Sequence, residues 1–219
     1  SYWGRLFPLL LILAVAMTAS EKSARAADDS AACQTAVARL VAIQGPVEVM
    51  RAGQSIWSAV TRLDTIVCAG DKLRTSGLSR AALFIAPETL VRVDQNTTIT
   101  INGTAEETLV EFVQAESAAK TADERPHCGT GYFISRFPKK FKVNTPFFNA
   151  AVEGTEFMVA MRCEASELSV FEGKVRTLIP TTREEQLVTS GEMLTADPAA
   201  PTAIRPIERP AMPHAKHAR

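Results

Sequence analysis

Apolar and polar side chains alternate along many short segments of the chain, for example at residues 47–49 and 90–93. A period of two is typical of a β-strand that buries one face. The same habit predicts further strands at residues 40–43, 81–86, 98–101, 108–113, 141–143, 156–161, 168–171, 174–179 and 186–188. The pattern therefore predicts an all-β fold of stacked antiparallel hairpins, arranged like a sandwich or a solenoid.

Three segments lack this alternation. Residues 30–39 are expected to form one or two helical turns before the first strand. Residues 114–127 are rich in Ala, Lys, Glu and Asp, which predicts a polar linker or short helix between halves at about residues 38–113 and 128–196. Residues 197–219 are rich in Pro and Ala and cannot bury enough apolar surface to fold alone, so we predict a flexible tail.

The two predicted halves resemble each other in sequence. Residues 40–47 match residues 167–175 in a pattern of apolar residues, Gly, any residue and Val. Residues 65–73 match residues 186–194, where a strand enters a turn formed by Gly and an acidic residue. Glycine suits such tight turns because it adopts positive φ without steric cost. The fold is therefore expected to contain two internally similar halves.

The N-terminal segment has the pattern of a signal peptide. Arg5 precedes an apolar run over residues 6–17 that only Pro8 interrupts. A membrane-spanning helix needs about 20 apolar residues, whereas the apolar region of a signal peptide needs about 7 to 15. Small residues at Ala24 and Ala26 predict cleavage after residue 26. We expect a periplasmic or secreted bacterial protein; the alternative is an inner-membrane anchor formed by residues 6–20.

The four cysteines are expected to form two disulfides, because an even number in an exported chain is typical of an oxidising compartment. Three pairings exist. We prefer Cys33 with Cys68 and Cys128 with Cys163, since each pair then stays within one half of the chain. The alternative is four buried thiols that act as small apolar residues.

Several short motifs occur in the order found in FecR domains. They include Gly70-Asp71-Lys72-Leu73 in the first half and, in the second, residues 150–157, residues 170–175 and Gly191-Glu192. Over about residues 38–195 the chain resembles the FecR family, which implies a FecR-like β-domain at residues 27–196. The turn residues that carry this resemblance are Gly45, Gly70, Asp71, Gly154, Thr155, Glu156, Phe157, Gly173 and Gly191.

The resemblance implies a role in signalling. The best-known FecR proteins relay an outer-membrane siderophore signal to a sigma factor through a cytoplasmic helical segment. This chain is more similar to the secreted, stand-alone members that lack the anti-sigma segment. We therefore expect an exported, non-catalytic protein-binding or signal-relay module whose partner is an envelope protein. Membrane contact is expected only if the N-terminal segment stays uncleaved, and the oligomeric state is left open.

Other function classes have weaker support in the sequence. The 24 basic and 24 acidic residues leave a formal net charge of zero, which provides no field for nucleic acid. Glycan or cell-wall binding is the alternative, with Trp57 as the ligand-facing residue. A hydrolase with paired carboxylates is the least favoured class, and a Cys128–His127 nucleophile competes with the predicted disulfide. We predict no enzyme, catalytic residue, metal or cofactor.

Overall fold

The computed structural model describes residues 33, 35–85, 88–104, 107–114, 127–136 and 140–207. The predicted signal peptide, most of the predicted linker and the end of the predicted tail lie outside these ranges. The described residues form eighteen strands and no helix. No segment among them is a helix long and apolar enough to cross a bilayer.

The strands follow one another with short connections. In chain order they are β1 (Ala36–Gln44), β2 (Val47–Met50), β3 (Ser58–Ala59), β4 (Ile66–Cys68), β5 (Asp71–Thr75), β6 (Arg80–Ile85), β7 (Thr89–Val93), β8 (Thr98–Gly103), β9 (Glu107–Phe112), β10 (His127–Ser135), β11 (Lys140–Asn144), β12 (Asn149–Val152), β13 (Thr155–Arg162), β14 (Ala165–Glu172), β15 (Lys174–Ile179), β16 (Glu184–Thr189), β17 (Glu192–Asp197) and β18 (Ala200–Pro206). Each of the predicted strands overlaps an observed one, so the all-β prediction is confirmed.

Two nine-stranded sheets contain all of these strands. Sheet I has the order β18-β17-β14-β13-β10-β7-β6-β1-β4, and sheet II has the order β16-β15-β12-β11-β9-β8-β5-β2-β3. Neighbouring strands run antiparallel except β9 and β11, which are parallel. From β5 onward both orders follow the chain, and only β4 and β3 lie outside β1 and β2, so the sandwich grows in layers as the chain proceeds.

The two sheets share one hydrophobic core. Strands in both sheets alternate buried and more exposed residues, as β6 and β15 illustrate. Phe133 on β10 stacks on Phe157 on β13, with ring centroids 4.7 Å apart. It also contacts Phe112 on β9 and Phe141 on β11, at 6.2 Å and 5.9 Å between centroids. Because β9 and β11 belong to sheet II, this aromatic cluster joins the two sheets through apolar contacts.

The predicted helical turns at residues 30–39 are wrong from residue 36 onward. Strand β1 begins at Ala36 and pairs with both β4 and β6. Its pairing register shifts between Ala36 and Ala38 and again between Leu40 and Ala42. These irregularities break the two-residue alternation, so that Val37, Ala38 and Leu40 are all buried. The sequence therefore has no regular strand pattern at this point.

The predicted flexible tail is also wrong over its first part. Residues Ala200–Pro206 form β18, which pairs with β17 at the edge of sheet I. An edge strand has a partner on one side only, so it tolerates proline at positions whose nitrogen needs no partner. Most of its side chains are exposed, and the pairing with β17 holds the segment without a large buried area.

The two halves do not form separate units. Strand β10 starts at His127, inside the predicted linker, and pairs with β7, while β11 pairs with β9. Gly45 and Gly173 each lie where the chain passes from sheet I to sheet II. Gly70 makes the same passage, whereas Gly191 leads from sheet II back to sheet I. The sequence match around Gly45 and Gly173 is thus also a structural match. In the match around Gly70 and Gly191, the two glycines lie in connections that run between the sheets in opposite directions.

Both disulfides have the preferred pairing. Cys33 is bonded to Cys68, with Cα atoms 5.6 Å apart, and attaches the segment before β1 to the end of β4. Cys128 is bonded to Cys163, with Cα atoms 5.2 Å apart, and ties the start of β10 to the turn between β13 and β14. The alternative of four buried thiols is wrong.

Candidate binding surfaces

The family-motif glycines occupy corners between the sheets. Gly173 has a φ of 83°, and a Cβ atom there would lie 2.8 Å from the carbonyl oxygen of Gly154. At Gly45, with a φ of 69°, a Cβ atom would lie 2.9 Å from the Cβ of Ser79. Any other L-residue at these two corners would meet both backbone strain and a steric clash. Their observed contacts are with the protein's own backbone and side chains.

Asp71 organises the corner between β4 and β5. Its side chain is 1% exposed. The carboxylate accepts hydrogen bonds from Arg51 Nη1 at 2.7 Å, from the backbone N–H of Ala52 at 2.9 Å and from that of Cys68 at 2.9 Å. All of its described partners lie within the fold, so the observed contacts of Asp71 are structural.

We expect the substitution Asp71→Ala to lower the free energy of unfolding by about 2 kcal/mol, because it leaves the Arg51 guanidinium and two backbone donors without their acceptor. Urea unfolding measures the change. Asp64→Asn is the control, since Asp64 pairs with Arg39 at 3.5 Å on the exposed surface and Asn, like Asp, tolerates the φ of 62° at this position. The control is expected to change stability by less than about 1 kcal/mol. Equal effects of the two substitutions would contradict this assignment.

The motif Thr155-Glu156-Phe157 divides its side chains between the core and the outer face of sheet I. Thr155 Oγ1 lies 3.0 Å from the carbonyl oxygen of Glu153 and 3.2 Å from that of Lys174. Phe157 is fully buried against Phe133. Glu156 points outward, so it is the member of this motif that is placed to affect a ligand on the surface.

Glu156 belongs to a polar network on the outer face of sheet I. The Tyr132 hydroxyl donates to Glu156, and Arg136 bridges Glu156, at 3.2 Å, and Glu172. Burial, the hydrogen bond to Glu156 and the charge of Glu156 raise the pKa of Tyr132 above its ordinary value, so the phenol remains protonated. The Phe171 ring, 40% exposed, contacts Tyr132 at 5.9 Å between centroids.

Trp57, the predicted ligand-facing residue, packs on the outer face of sheet II. The guanidinium carbon of Arg74 lies 4.2 Å from the centroid of the Trp57 ring. Arg74 is in turn held by Glu48 at 2.6 Å. One face of the indole is therefore covered by a cation–π contact within the protein.

A depression lies on the outer face of sheet I. Ala42, Ala82, Arg92, Tyr132 and Met158 are cross-strand neighbours on β1, β6, β7, β10 and β13. The two alanines are small, so the surface sinks between longer side chains and leaves a depression of about 690 Å³. We call it the sheet I depression. Sequence reasoning missed it, because β10 was not predicted.

A smaller depression of about 140 Å³ lies on the outer face of sheet II. Lys142, Ala151, Arg176 and Leu187 are cross-strand neighbours there, on β11, β12, β15 and β16. Lys142 is paired with Glu107 at 2.7 Å. We call these four residues and Lys174 the basic row of sheet II, because three of the five side chains, those of Lys142, Lys174 and Arg176, are cationic.

The four sheet edges differ in how well they are protected. Strands β3 and β4 have two and three residues, so they offer short edges. Strand β18 contains Pro201 and Pro206, which have no N–H to donate. Strand β16 has six residues, no proline and no described neighbour on its outer side.

Comparison with known proteins agrees with the fold. The family model described as FecR protein matches residues 71–176. Two crystal structures of a putative anti-sigma factor from Parabacteroides distasonis ATCC 8503, at 1.65 Å and 2.50 Å resolution, each superpose with a TM-score of 0.50 at 17% sequence identity. The similarity covers 62% of this chain and 59% of theirs. No curated protein matches the chain. Residues 71–176 of this chain are therefore similar in sequence to FecR proteins.

Proposed function

We propose that the chain is an exported, non-catalytic signalling module that binds a protein partner in the bacterial cell envelope by strand addition to β16. The observation that carries the proposal is the open edge of β16. A free strand offers backbone donors and acceptors in a row, and an extended partner segment pairs with them to continue the sheet. The similarity to FecR proteins and the fold shared with a putative anti-sigma factor support a relay role.

The orientation of backbone groups supports this edge as the contact. In the pair of Ser190 and Gly173, the N–H of Ser190 donates to the carbonyl oxygen of Gly173 at 3.1 Å. Because the two sides of an antiparallel strand alternate, the N–H groups of Leu187 and Glu185 point away from β15. The N–H of Thr189 shares this direction and is bound by Glu192 at 2.7 Å. A partner strand would therefore meet donors at residues 187 and 185.

The charges beside the edge indicate the kind of partner strand. The basic row of sheet II brings Arg176 and Lys174 next to Leu187, which is 49% exposed. These cations lie one strand in from the edge, whereas Glu184 and Glu185 lie on β16 itself, so the charges nearest to an added strand are acidic. A basic side chain on that strand would pair with Glu185, and an apolar side chain would cover Leu187. We therefore propose a partner segment that is extended, partly apolar and carries a basic side chain.

Export is supported by the two disulfides, because such bonds persist in oxidising compartments and are rare in the cytosol. A non-catalytic role is supported by the contacts of the sequence candidates. Cys128 is held in a disulfide and Asp71 is saturated by internal hydrogen bonds. A glycan role for Trp57 has less support, since Arg74 covers one face of its ring.

A pair of substitutions at one position tests the proposal. Leu187→Pro removes an outward N–H and keeps the ladder between β15 and β16, while Leu187→Ala keeps the N–H and removes the side chain. Affinity-tagged protein is purified from envelopes of the source cell, and each bound protein is quantified by mass spectrometry. We expect one partner whose recovery falls about tenfold in Leu187→Pro and less in Leu187→Ala, because main-chain pairing supplies most of the affinity.

Thermal unfolding of both variants is the folding control, and both are expected to remain close to the wild type because the edge strand tolerates these changes. Recovery of the same partner in equal amounts with Leu187→Pro would rule out strand addition at β16.

A further inference from the structure

A protein that relays a signal needs contacts with two partners, and the edge of β16 provides a site for one of them. The second candidate is the sheet I depression, which lies over β13, β10, β7, β6 and β1 and leaves out both edges of its sheet. With strands about 4.8 Å apart, five strands span about 19 Å, the length of about six extended residues. The depression is open along one face, so it fits a chain segment better than an enclosed small molecule.

The charges in the depression are not balanced. Arg80 lies at its rim and is held by Asp94 at 2.7 Å. Arg92 is exposed and forms no ion pair with a described residue; its guanidinium carbon lies 6.0 Å from the centroid of the Tyr132 ring. The Tyr132 hydroxyl donates its hydrogen bond to Glu156 and does not neutralise the charge of Arg92. The Arg92 guanidinium, with no ion pair to a described residue, therefore lies near the middle of the depression, between Ala82 and Tyr132 on the neighbouring strands.

The apolar residues of the depression indicate that the ligand also has apolar side chains. Ala42 and Ala82 leave space, and Met158 adds apolar surface at the lining. Methionine adapts its flexible side chain to different apolar groups. A carboxylate over Arg92, with apolar side chains on either side, would satisfy the cation and cover the floor. A single unpaired cation is too little charge for a polyanion such as nucleic acid.

We propose that the sheet I depression binds an extended peptide segment of a partner protein with an Asp or Glu side chain between apolar residues, whose carboxylate pairs with Arg92. The site is separate from the β16 edge and goes beyond the function proposed above. Binding is expected to weaken with added salt, because the ion pair forms at the protein surface.

Selection from a phage-displayed library of random heptapeptides on the full chain tests the proposal. We expect enriched peptides to carry an Asp or Glu flanked by apolar residues. The affinity of a fluorescein-labelled synthetic copy is then measured by fluorescence anisotropy. Arg92→Glu is expected to weaken it about tenfold, because attraction becomes repulsion. Ala82→Trp, which fills the floor without changing charge, is expected to have a similar effect.

Two controls locate the binding. Arg176→Glu makes the same charge change on sheet II, and Leu187→Pro blocks the β16 edge, so both are expected to leave peptide affinity unchanged. The proposal is overturned if no acidic peptide is enriched or if Arg92→Glu and Ala82→Trp bind as the wild type does. It is also overturned if Arg176→Glu has the larger effect, or if Arg92 is needed only for binding anionic lipid vesicles. Loss of the envelope partner in Leu187→Pro with intact peptide binding would separate the two proposals.

Discussion

Replacing Phe133 with Ala is expected to lower the free energy of unfolding by about 3 to 5 kcal/mol, because it removes a buried ring and leaves a cavity. Phe133 is fully buried and contacts Phe157 in its own sheet and Phe112 and Phe141 in the opposite one. The lost contacts are therefore those that join the two sheets. Chemical denaturation of the purified protein measures the change.

Phe171→Ala is the control for this prediction, since the Phe171 ring is 40% exposed on the outer face of sheet I. Substitutions at the surface usually change stability by less than about 0.5 kcal/mol, and the contact with Tyr132 adds a little to this. A loss for Phe133→Ala no larger than that for Phe171→Ala would show that the aromatic cluster does not hold the sandwich together.

Replacing Cys163 with Ser is expected to lower the free energy of unfolding by about 2 to 5 kcal/mol, because the disulfide to Cys128 restricts the unfolded chain. The two residues are 35 positions apart, so the closed loop is long. Cys128 should then react with a thiol reagent in the unfolded protein. Intact mass and thiol counting on protein recovered from the periplasm check both results.

The wild-type protein is the reference for this measurement and is expected to show no free thiol. The same experiment on Cys68→Ser should expose Cys33 and leave the Cys128–Cys163 bond intact. Unchanged stability of Cys163→Ser, with no new reactive thiol, would contradict the pairing.

The class of fold could be predicted from the sequence because the alternation of buried and exposed residues is a local pattern. The disulfide pairing was one of three that the sequence allowed, since each bond joins residues 35 positions apart. Strands such as β7 and β15 have a regular alternation that one buried face imposes. Strand β10 escaped prediction because Gly129 and Gly131 interrupt its apolar pattern. Gly131 is needed there, since a Cβ atom would lie 2.8 Å from the rings of Phe112 and Phe133. Only the packed structure shows that requirement.

The candidate binding surfaces could be predicted only in part. The motif corners were found because glycine marks tight turns in any sequence. The sheet I depression depends on the register of five strands, which places Ala42 beside Ala82 and Arg92 beside Tyr132. The exposed edge of β16 depends on strand order, which the chain sequence does not contain. Likewise, the contact between Trp57 and Arg74 joins a loop to β5 and has no local signal.

The central claim is that a protein partner binds at β16, and site-specific photo-crosslinking in the source cell tests it most directly. A photoreactive phenylalanine derivative at position 187 places the probe on the open edge. The same residue at position 78 provides a control, since Leu78 is 88% exposed in the turn between β5 and β6. We predict a crosslink from position 187 to one envelope protein and none to that protein from position 78. Equal crosslinking from both positions, or no protein crosslink from position 187, would contradict the account.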